Sequence, residues 1–199
     1  MSARDPLPHF HPRDGRDQAV LDASRAVVAL FIRERSIDFS VKELAQHAGL
    51  SERTFYRYFP RKEDAIRPYL RAALDQVLDL VRAAPPDCPL GDAIVAAHAP
   101  ILDAARILEG ESLLPLLHRT DRLRAAWLQV LTEAEVGFGA IVADRLRIPA
   151  DSPQARLAGA AVVCSGRLAL TQPQPPEDQR RPSEVFAECI GLLGHGLFG

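Results

Sequence analysis

Apolar residues recur at helical spacing along most of this chain, and the pattern predicts an all-α protein. A helix is predicted over about 16–35, two short helices within 39–62, and a longer helix over about 61–83 that contains Pro68. Proline removes one backbone hydrogen bond, so Pro68 should bend that helix. After a Pro-rich break at 84–89, further helices are predicted over about 90–105, 111–119, 122–147, 154–170 and from about 183 onward.

The stretch 39–62, FSVKELAQHAGLSERTFYRYFPRK, carries start and stop signals for its two short helices. Ser40 and Glu43 have capping-box spacing, and Ser51 is placed to cap the second helix. Gly49 falls where the first helix must end in the left-handed conformation that glycine adopts cheaply. The stretch therefore predicts a helix-turn-helix.

The second of these helices has an inward and an outward face. Phe55 and Phe59, four residues apart, are predicted to point inward. The outward face holds Glu52, Arg53, Tyr56 and Arg57, flanked by Thr54 and Tyr58. Arginine can reach guanine edges in a major groove and tyrosine can reach phosphate, so this face favours DNA binding. The alternative is a solvated helical hairpin within an ordinary bundle.

The residue pattern of 39–62 resembles the DNA-binding segment of the TetR family of one-component repressors. In that family a glycine turn precedes S-x-x-T-x-Y-x-Y-F and a lysine. The matching residues are Gly49, Ser51, Thr54, Tyr56, Tyr58, Phe59 and Lys62, and the resemblance covers about residues 16–70. It implies a three-helix DNA-binding unit followed by a C-terminal helical domain that binds a ligand and dimerises. It also implies a homodimeric repressor that a small molecule releases from a near-palindromic operator.

The resemblance assigns roles to individual residues. Ser40, Val41 and Lys42 would touch phosphates, as would Tyr58 and Lys62. Glu52, Arg53, Thr54 and Tyr56 would face bases or nearby backbone, and Ser51 and Arg57 complete the predicted DNA-binding set.

Two residues depart from the family pattern. Arg61 stands where a capping Ser or Thr is usual, at a typical cost of about 1 kcal/mol, while Glu63 and Asp64 favourably meet the helix dipole. Glu52 would be repelled by phosphates, so we expect it either to accept from a cytosine amino group or to pair with Arg53.

The predicted organisation has four parts: a flexible arm over 1–15, a helix-turn-helix DNA-binding domain over 16–62, a connecting helix over 63–83, and a ligand-binding and dimerisation domain over 84–199. The arm is interpreted as a disordered tail, or as a basic segment whose Arg4, Arg13 or Arg16 enters a minor groove.

The last two helices are predicted to form a subunit interface. Their apolar positions are Leu157, Ala161, Cys164, Leu168, Phe186, Ile190, Leu193 and Leu197. Gly159 and Gly166 would let another backbone come close. The alternative is burial within one chain. The resemblance implies that these helices pair with their twins in a four-helix bundle, which would set two reading helices about 34 Å apart.

The C-terminal helices also supply candidates for binding a small apolar or amphipathic ligand. The apolar candidates are Leu113, Leu117, Trp127, Leu131 and Phe138; the polar ones are His98, Arg106, Glu109, His118 and Arg167. Each polar residue could instead be a satisfied residue at the edge of the core.

Composition and cysteine placement limit the classes of protein to which this chain could belong. Hydrophobic content of 47% with 25% charged residues is typical of a soluble globular protein, and the net charge of -2 leaves phosphate contacts to local arginines. Cys88, Cys164 and Cys189 are far apart, so buried free thiols in a reducing cytoplasm are expected rather than disulfides or a metal site. We expect neither a signal peptide nor a membrane span.

No GxSxG, P-loop, GxGxxG or HExxH motif occurs in the sequence, which argues against an enzyme and predicts no cofactor. The remaining alternative to a DNA-binding regulator is a helical ligand-binding or protein-interaction module that does not read DNA.

Overall fold

The computed structural model describes residues 15–107, 112–171 and 180–197, with side chains left out at 105–107 and 195–197. Every regular element in these ranges is helical, which confirms the predicted all-α class. The helices are α1 (Gly15–Glu34), α2 (Val41–His47), α3 (Glu52–Tyr58), a 3-10 helix (Lys62–Ile66), α4 (Arg67–Ala83), α5 (Leu90–Ile107), α6 (Leu114–Arg119), α7 (Asp121–Leu146), α8 (Pro153–Thr171) and α9 (Pro182–Leu197). The predicted N-terminal arm, Gly15 excepted, lies outside the described residues.

The chain divides into two compact units that cut across the predicted linear boundaries. Among the described residues, the first unit contains 15–73 and 112–130, and the second contains 74–107, 131–171 and 180–197. The α6 helix and the start of α7 group with the first unit, where Leu116, Leu117 and Leu123 are buried. Sequence order could not show this, because a linear boundary assigns every later residue to one domain.

The core of the first unit is formed by one apolar face of each of its helices. Val27 and Phe31 of α1 are buried with Leu44 of α2, Phe55 of α3 and Ile66 of the 3-10 helix. Burying these side chains on one side leaves the polar sides of α2 and α3 exposed.

The predicted single helix over 61–83, bent at Pro68, is wrong. A 3-10 helix covers Lys62–Ile66, and α4 begins at Arg67, so Pro68 lies in the first turn of α4, where a missing N–H costs little. The buried hydroxyl of Ser24 in α1 donates to the Ala65 carbonyl (2.5 Å) and accepts from the Tyr69 N–H (3.0 Å). A side chain from another helix therefore satisfies backbone groups at this junction.

The second unit is built around α5, α8 and α9, with the later parts of α4 and α7. Its core includes Val77, Ile94, Phe138, Val162 and Phe186. By length and composition alone α7 could cross a membrane, but a core helix passes the same test, and α7 supplies buried residues such as Phe138 and Val142.

Glycines set the spacing between α7 and α8. A Cβ on Gly159 would collide with the Glu135 carbonyl oxygen and the Gly139 nitrogen, and a Cβ on Gly139 would lie 2.8 Å from the Ala155 carbonyl oxygen. Gly159, predicted to admit a partner subunit's backbone, instead admits α7 of its own chain.

Candidate nucleic-acid interface

The start of α2 has the predicted capping box. The Ser40 N–H and hydroxyl both donate to Glu43 Oε2 at 2.7 Å, and the Glu43 N–H donates to Ser40 Oγ at 3.3 Å. The hydrogen bonds from the Ser40 side chain and backbone lower the pKa of the Glu43 carboxyl. The box fixes the conformation of the chain where it enters α2.

The turn into α3 also follows the predicted chemistry. Gly49 has a φ of 68°, and the Leu50 N–H donates to the Ala45 carbonyl at 2.8 Å, closing the end of α2. The Thr54 N–H donates to Ser51 Oγ at 3.2 Å, and the Ser51 hydroxyl donates to Thr54 Oγ1 at 3.0 Å. Local hydrogen bonds therefore set the geometry of the α2–α3 corner.

Two phenylalanines fix the rotation of α3 about its axis. Phe55 and Phe59 are almost fully buried, with ring centroids 5.0 Å apart in an edge-on arrangement. This leaves Glu52, Arg53, Tyr56 and Arg57 exposed on one outward face, with Thr54 and Tyr58 partly buried beside it, as the sequence predicted. The Tyr56 side chain is 53% exposed, which is unusual for a large aromatic residue.

The charged side chains of α3 are available to an external partner. Arg57 lies over the Tyr58 ring at 5.4 Å, a contact that leaves its donors accessible. Neither Glu52 nor Arg53 forms an ion pair within the described part of the chain, so the expected Glu52–Arg53 pair does not form here. The other role predicted for Glu52, acceptance from a cytosine amino group, stays a prediction.

The predicted phosphate contacts beside α3 occupy two different environments. Ser40 and Lys42 are exposed and Val41 is half-buried at the start of α2. Lys62 is half-buried, and its Nζ donates to the carbonyls of Ile37 (3.2 Å) and Phe39 (3.1 Å). Sequence reasoning did not foresee this engagement, because the two carbonyls are distant in sequence and carry no side-chain signal.

The 3-10 helix begins without a capping side chain, as the sequence predicted for Arg61. The Arg61 N–H donates instead to Asp64 Oδ2 at 3.2 Å. Next to it, the buried Glu63 carboxylate lies 3.5 Å from a guanidinium nitrogen of Arg122 at the start of α7. Sequence reasoning missed this contact too, since the residues are 59 positions apart.

The predicted ligand-binding residues are divided between the two compact units. Leu113, Leu117, His118 and Trp127 belong to the first unit, whereas His98, Leu131, Phe138 and Arg167 belong to the second. His118 is exposed and Arg167 donates to Cys164 Sγ at 3.7 Å. The Arg106 side chain and Glu109 lie outside the described residues. The predicted ligand-binding set stays a prediction.

His98 is a core residue of the second unit. It is 6% exposed, and its ring lies against Phe138 (centroids 5.2 Å apart) and Phe186 (4.4 Å). Its Nδ1 is 2.7 Å from the Ile94 carbonyl oxygen. Burial lowers the pKa of His98 from 6.5 to about 4, and the Ile94 contact opposes the shift only in part. His98 is thus a neutral, packed imidazole at neutral pH.

The second unit contains a cleft of about 590 Å³ between α5 and α9. It is lined by Pro89, Leu90, Gly91, Asp92, Val95, Ala96, Ala187, Ile190, Gly191 and Gly194. Its size suits a small organic molecule. None of the predicted ligand-binding residues lines it.

The predicted subunit interface is partly corrected. Leu157 is 58% exposed and Cys164 is exposed, while Ala161, Leu168 and Leu193 are half-buried. Phe186 and Ile190 were assigned to the wrong face: they are 0% and 2% exposed and pack inside their own chain. The Leu197 side chain lies outside the described residues.

Sequence reasoning missed Leu192 of α9 and Val136 of α7, which are 83% and 76% exposed. Because α9 is apolar on more than one face, periodicity alone could not tell which apolar stripe is buried.

Residues 21–66 match a family model described as bacterial regulatory proteins, tetR family. The match covers α1 from Leu21 onward together with α2, α3 and the 3-10 helix, and it therefore includes the candidate interface. A comparison with curated proteins finds no match.

Several solved structures share the fold. A tetR-family transcriptional regulator from Streptomyces coelicolor is 18% identical with a TM-score of 0.52, and the alignment covers 89% of this chain and 79% of that one. A TetR transcriptional regulator from Rhodococcus sp. RHA1 is 18% identical with a TM-score of 0.55, over 94% and 100% of the chains. The fatty acid degradation regulator FadR from Bacillus halodurans is 18% identical with a TM-score of 0.53, over 94% and 98%.

Proposed function

We propose that this chain is a regulator of the tetR type: a homodimeric repressor that a small molecule releases from its operator. The observation that carries the proposal is the outward face of α3. Two buried phenylalanines hold it in one orientation, and it presents two arginines and a half-exposed tyrosine to solvent.

The proposed DNA contacts follow from the chemistry of each exposed group. Arg53 and Arg57 can donate to guanine O6 and N7, and Glu52 can accept from cytosine N4. Tyr56 and Tyr58 can donate to phosphate, as can Lys42 and the first backbone N–H groups of α2. Thr54, Ser51, Ser40 and Val41 complete the proposed surface at the α2–α3 corner.

A homodimer would present two such faces to the duplex. The exposed apolar residues of α8, with Leu157 most exposed, support pairing through this helix. Two-fold pairing places the reading helices about 34 Å apart along one side of the DNA and predicts a near-palindromic operator. We place this function in the cytoplasm.

Release by a ligand requires two states with different DNA affinity. A small apolar or amphipathic molecule would have to bind the state that cannot bind DNA more tightly than the state that can. The cleft between α5 and α9 is the proposed place to look for it, because it is large enough and mostly apolar.

Substitution of the outward face tests the proposal. Arg53→Ala should weaken binding to the operator by about 1–3 kcal/mol and relax specificity at one base pair. Tyr56→Ala should weaken binding without changing the far-ultraviolet circular dichroism. The matched control is Arg82→Ala, which removes an exposed arginine paired with Asp79 in α4 and should leave affinity unchanged.

The measurement is fluorescence anisotropy on a labelled duplex at several salt concentrations. Equal affinity for wild type, Arg53→Ala and Tyr56→Ala would remove α3 as the reading helix. Binding that is absent or insensitive to salt would favour the alternative, a helical module that does not read DNA.

A further inference from the structure

Lys62 holds the segment that leads into α2. Its Nζ donates to the carbonyls of Ile37 and Phe39, at 3.2 and 3.1 Å. Both carbonyls belong to the connection between α1 and α2, 25 and 23 residues earlier in the chain. An ammonium group has three N–H donors, so this clamp uses two of them on neutral backbone oxygens.

Other contacts also hold the clamped connection: the Ser36 N–H donates to the Phe31 carbonyl at 3.3 Å, and the Asp38 N–H donates to Ser36 Oγ at 3.0 Å. The Phe39 N–H donates to the Ile37 carbonyl at 2.8 Å, and the Phe39 ring stacks on Phe31 with centroids 6.1 Å apart. The connection begins at Arg35, a non-glycine residue with a φ of 50°, which is a strained backbone conformation. Without Lys62 the Phe39 carbonyl would lose its partner directly before the cap residue Ser40.

Lys62 itself follows the exit of α3. That helix ends at Tyr58, and the buried Phe59 anchors the chain three residues before Lys62. One side chain therefore ties the exit of α3 to the entry of α2. The two helices that carry the proposed DNA contacts are held in one frame by this tie as well as by their shared turn.

We propose that Lys62 is a positioning residue for DNA binding: it acts mainly by fixing the entry of α2 relative to α3, and only to a smaller extent by neutralising a phosphate. This rests on the proposed function, and it changes the role that the sequence resemblance gave to Lys62. It makes the geometry of Ser40, Val41 and Lys42 dependent on a residue outside α2.

Three variants of the full-length chain separate positioning from phosphate contact. Lys62→Met removes the charge and the donors, whereas Lys62→Gln removes the charge but keeps N–H donors. Lys42→Met is the matched control, because Lys42 is an exposed lysine at the start of α2 with no clamp to lose. The DNA probe is a duplex enriched by the wild-type protein from a random-sequence library.

Two experiments are needed: hydrogen exchange without DNA, and DNA binding at several salt concentrations. Amide hydrogen exchange over residues 36–43 of the DNA-free protein should be about tenfold faster in Lys62→Met than in wild type, and unchanged in Lys42→Met. Operator affinity should fall about tenfold in Lys62→Met, with partial recovery in Lys62→Gln. The slope of log affinity against log salt should fall by about 0.9 in Lys42→Met and by less than half as much in Lys62→Met.

Exchange at 36–43 that stays at the wild-type rate in Lys62→Met overturns the proposal, as does faster exchange with undiminished affinity. A salt slope that falls as far as in Lys42→Met also overturns it. If Lys62→Met does not fold, Lys62→Gln decides: changes in exchange and affinity clearly smaller than about tenfold support the clamp, and a salt slope that falls as far as in Lys42→Met contradicts it.

Failure of the Lys62 proposal can be distinguished from failure of the proposed DNA-binding function. A wild-type protein that enriches no duplex refutes DNA reading as a whole, while the exchange experiment needs no DNA and still reports on the clamp.

Discussion

His98 makes the stability of the second unit depend on pH in a defined direction. Its imidazole is 6% exposed between Phe138 and Phe186, and burial lowers its pKa to about 4. The unfolded chain would bind a proton at this residue with the ordinary pKa of 6.5. Because the folded pKa is the lower of the two, the folded state is favoured by high pH at this site.

The magnitude follows from the two pKa values. Above about pH 6.5 both states are neutral and the stability is fully present; as the pH falls from there toward 4, the unfolded state gains a proton that the folded state does not. One pKa unit corresponds to about 1.4 kcal/mol, so the full loss is about 3 kcal/mol, of which about 2 kcal/mol falls between pH 7 and pH 5.

His98→Leu tests this assignment because leucine does not titrate. The free energy of unfolding in urea should fall by about 2 kcal/mol less between pH 7 and pH 5 in the variant than in wild type. His118→Leu is the control, since His118 is exposed on α6, and its pH dependence should follow that of wild type. Parallel pH profiles for wild type and His98→Leu would refute the buried, neutral imidazole.

Three further predictions concern packing, assembly and capping. Gly159→Ala should destabilise the chain by about 1–3 kcal/mol in urea unfolding, because its Cβ meets backbone atoms of α7, whereas Gly191→Ala, with open space around its Cβ, should stabilise α9 by up to about 1 kcal/mol. Leu157→Glu should shift the protein toward monomer in light scattering; an unchanged dimer would exclude this face of α8 from the interface. Glu43→Gln should reduce the loss of stability below about pH 4.5, since the lowered pKa of Glu43 makes the wild-type capping box stable above that pH and lost as the carboxyl is protonated.

The helix-turn-helix could be predicted because its signals are local. The capping and turn residues make hydrogen bonds or turns within a few residues of their own positions, so their spacing in the sequence predicts the local geometry. These residues are Ser40, Glu43, Gly49 and Ser51. The outward face of α3 followed from the positions of its two phenylalanines in the same way.

The junction after α3 could not be predicted in this way, because long-range contacts decide it. Ser24 of α1 supplies the hydrogen bonds that let the 3-10 helix give way to α4, and Lys62 finds its partners in the α1–α2 connection. The hydrophobic pattern of 61–83 has helical spacing throughout, so it predicts one continuous helix and neither of these contacts.

Backbone strain and helix faces were missed for related reasons. Arg35 and Arg147 adopt positive φ at the ends of α1 and α7, where glycine is the usual signal. Phe186 and Ile190 share a helix with the highly exposed Leu192, so hydrophobicity marked several faces of α9 and tertiary packing chose among them.

Sequence enrichment from a random duplex library by the full-length protein tests the central claim most directly. If twin α3 helices read DNA, the enriched pool should contain two inverted half-sites whose centres lie about 10 base pairs apart, and Arg53→Ala should erase the preference at one position of each half-site. A pool with no inverted repeat, or one enriched equally well by Arg53→Ala, would contradict the account.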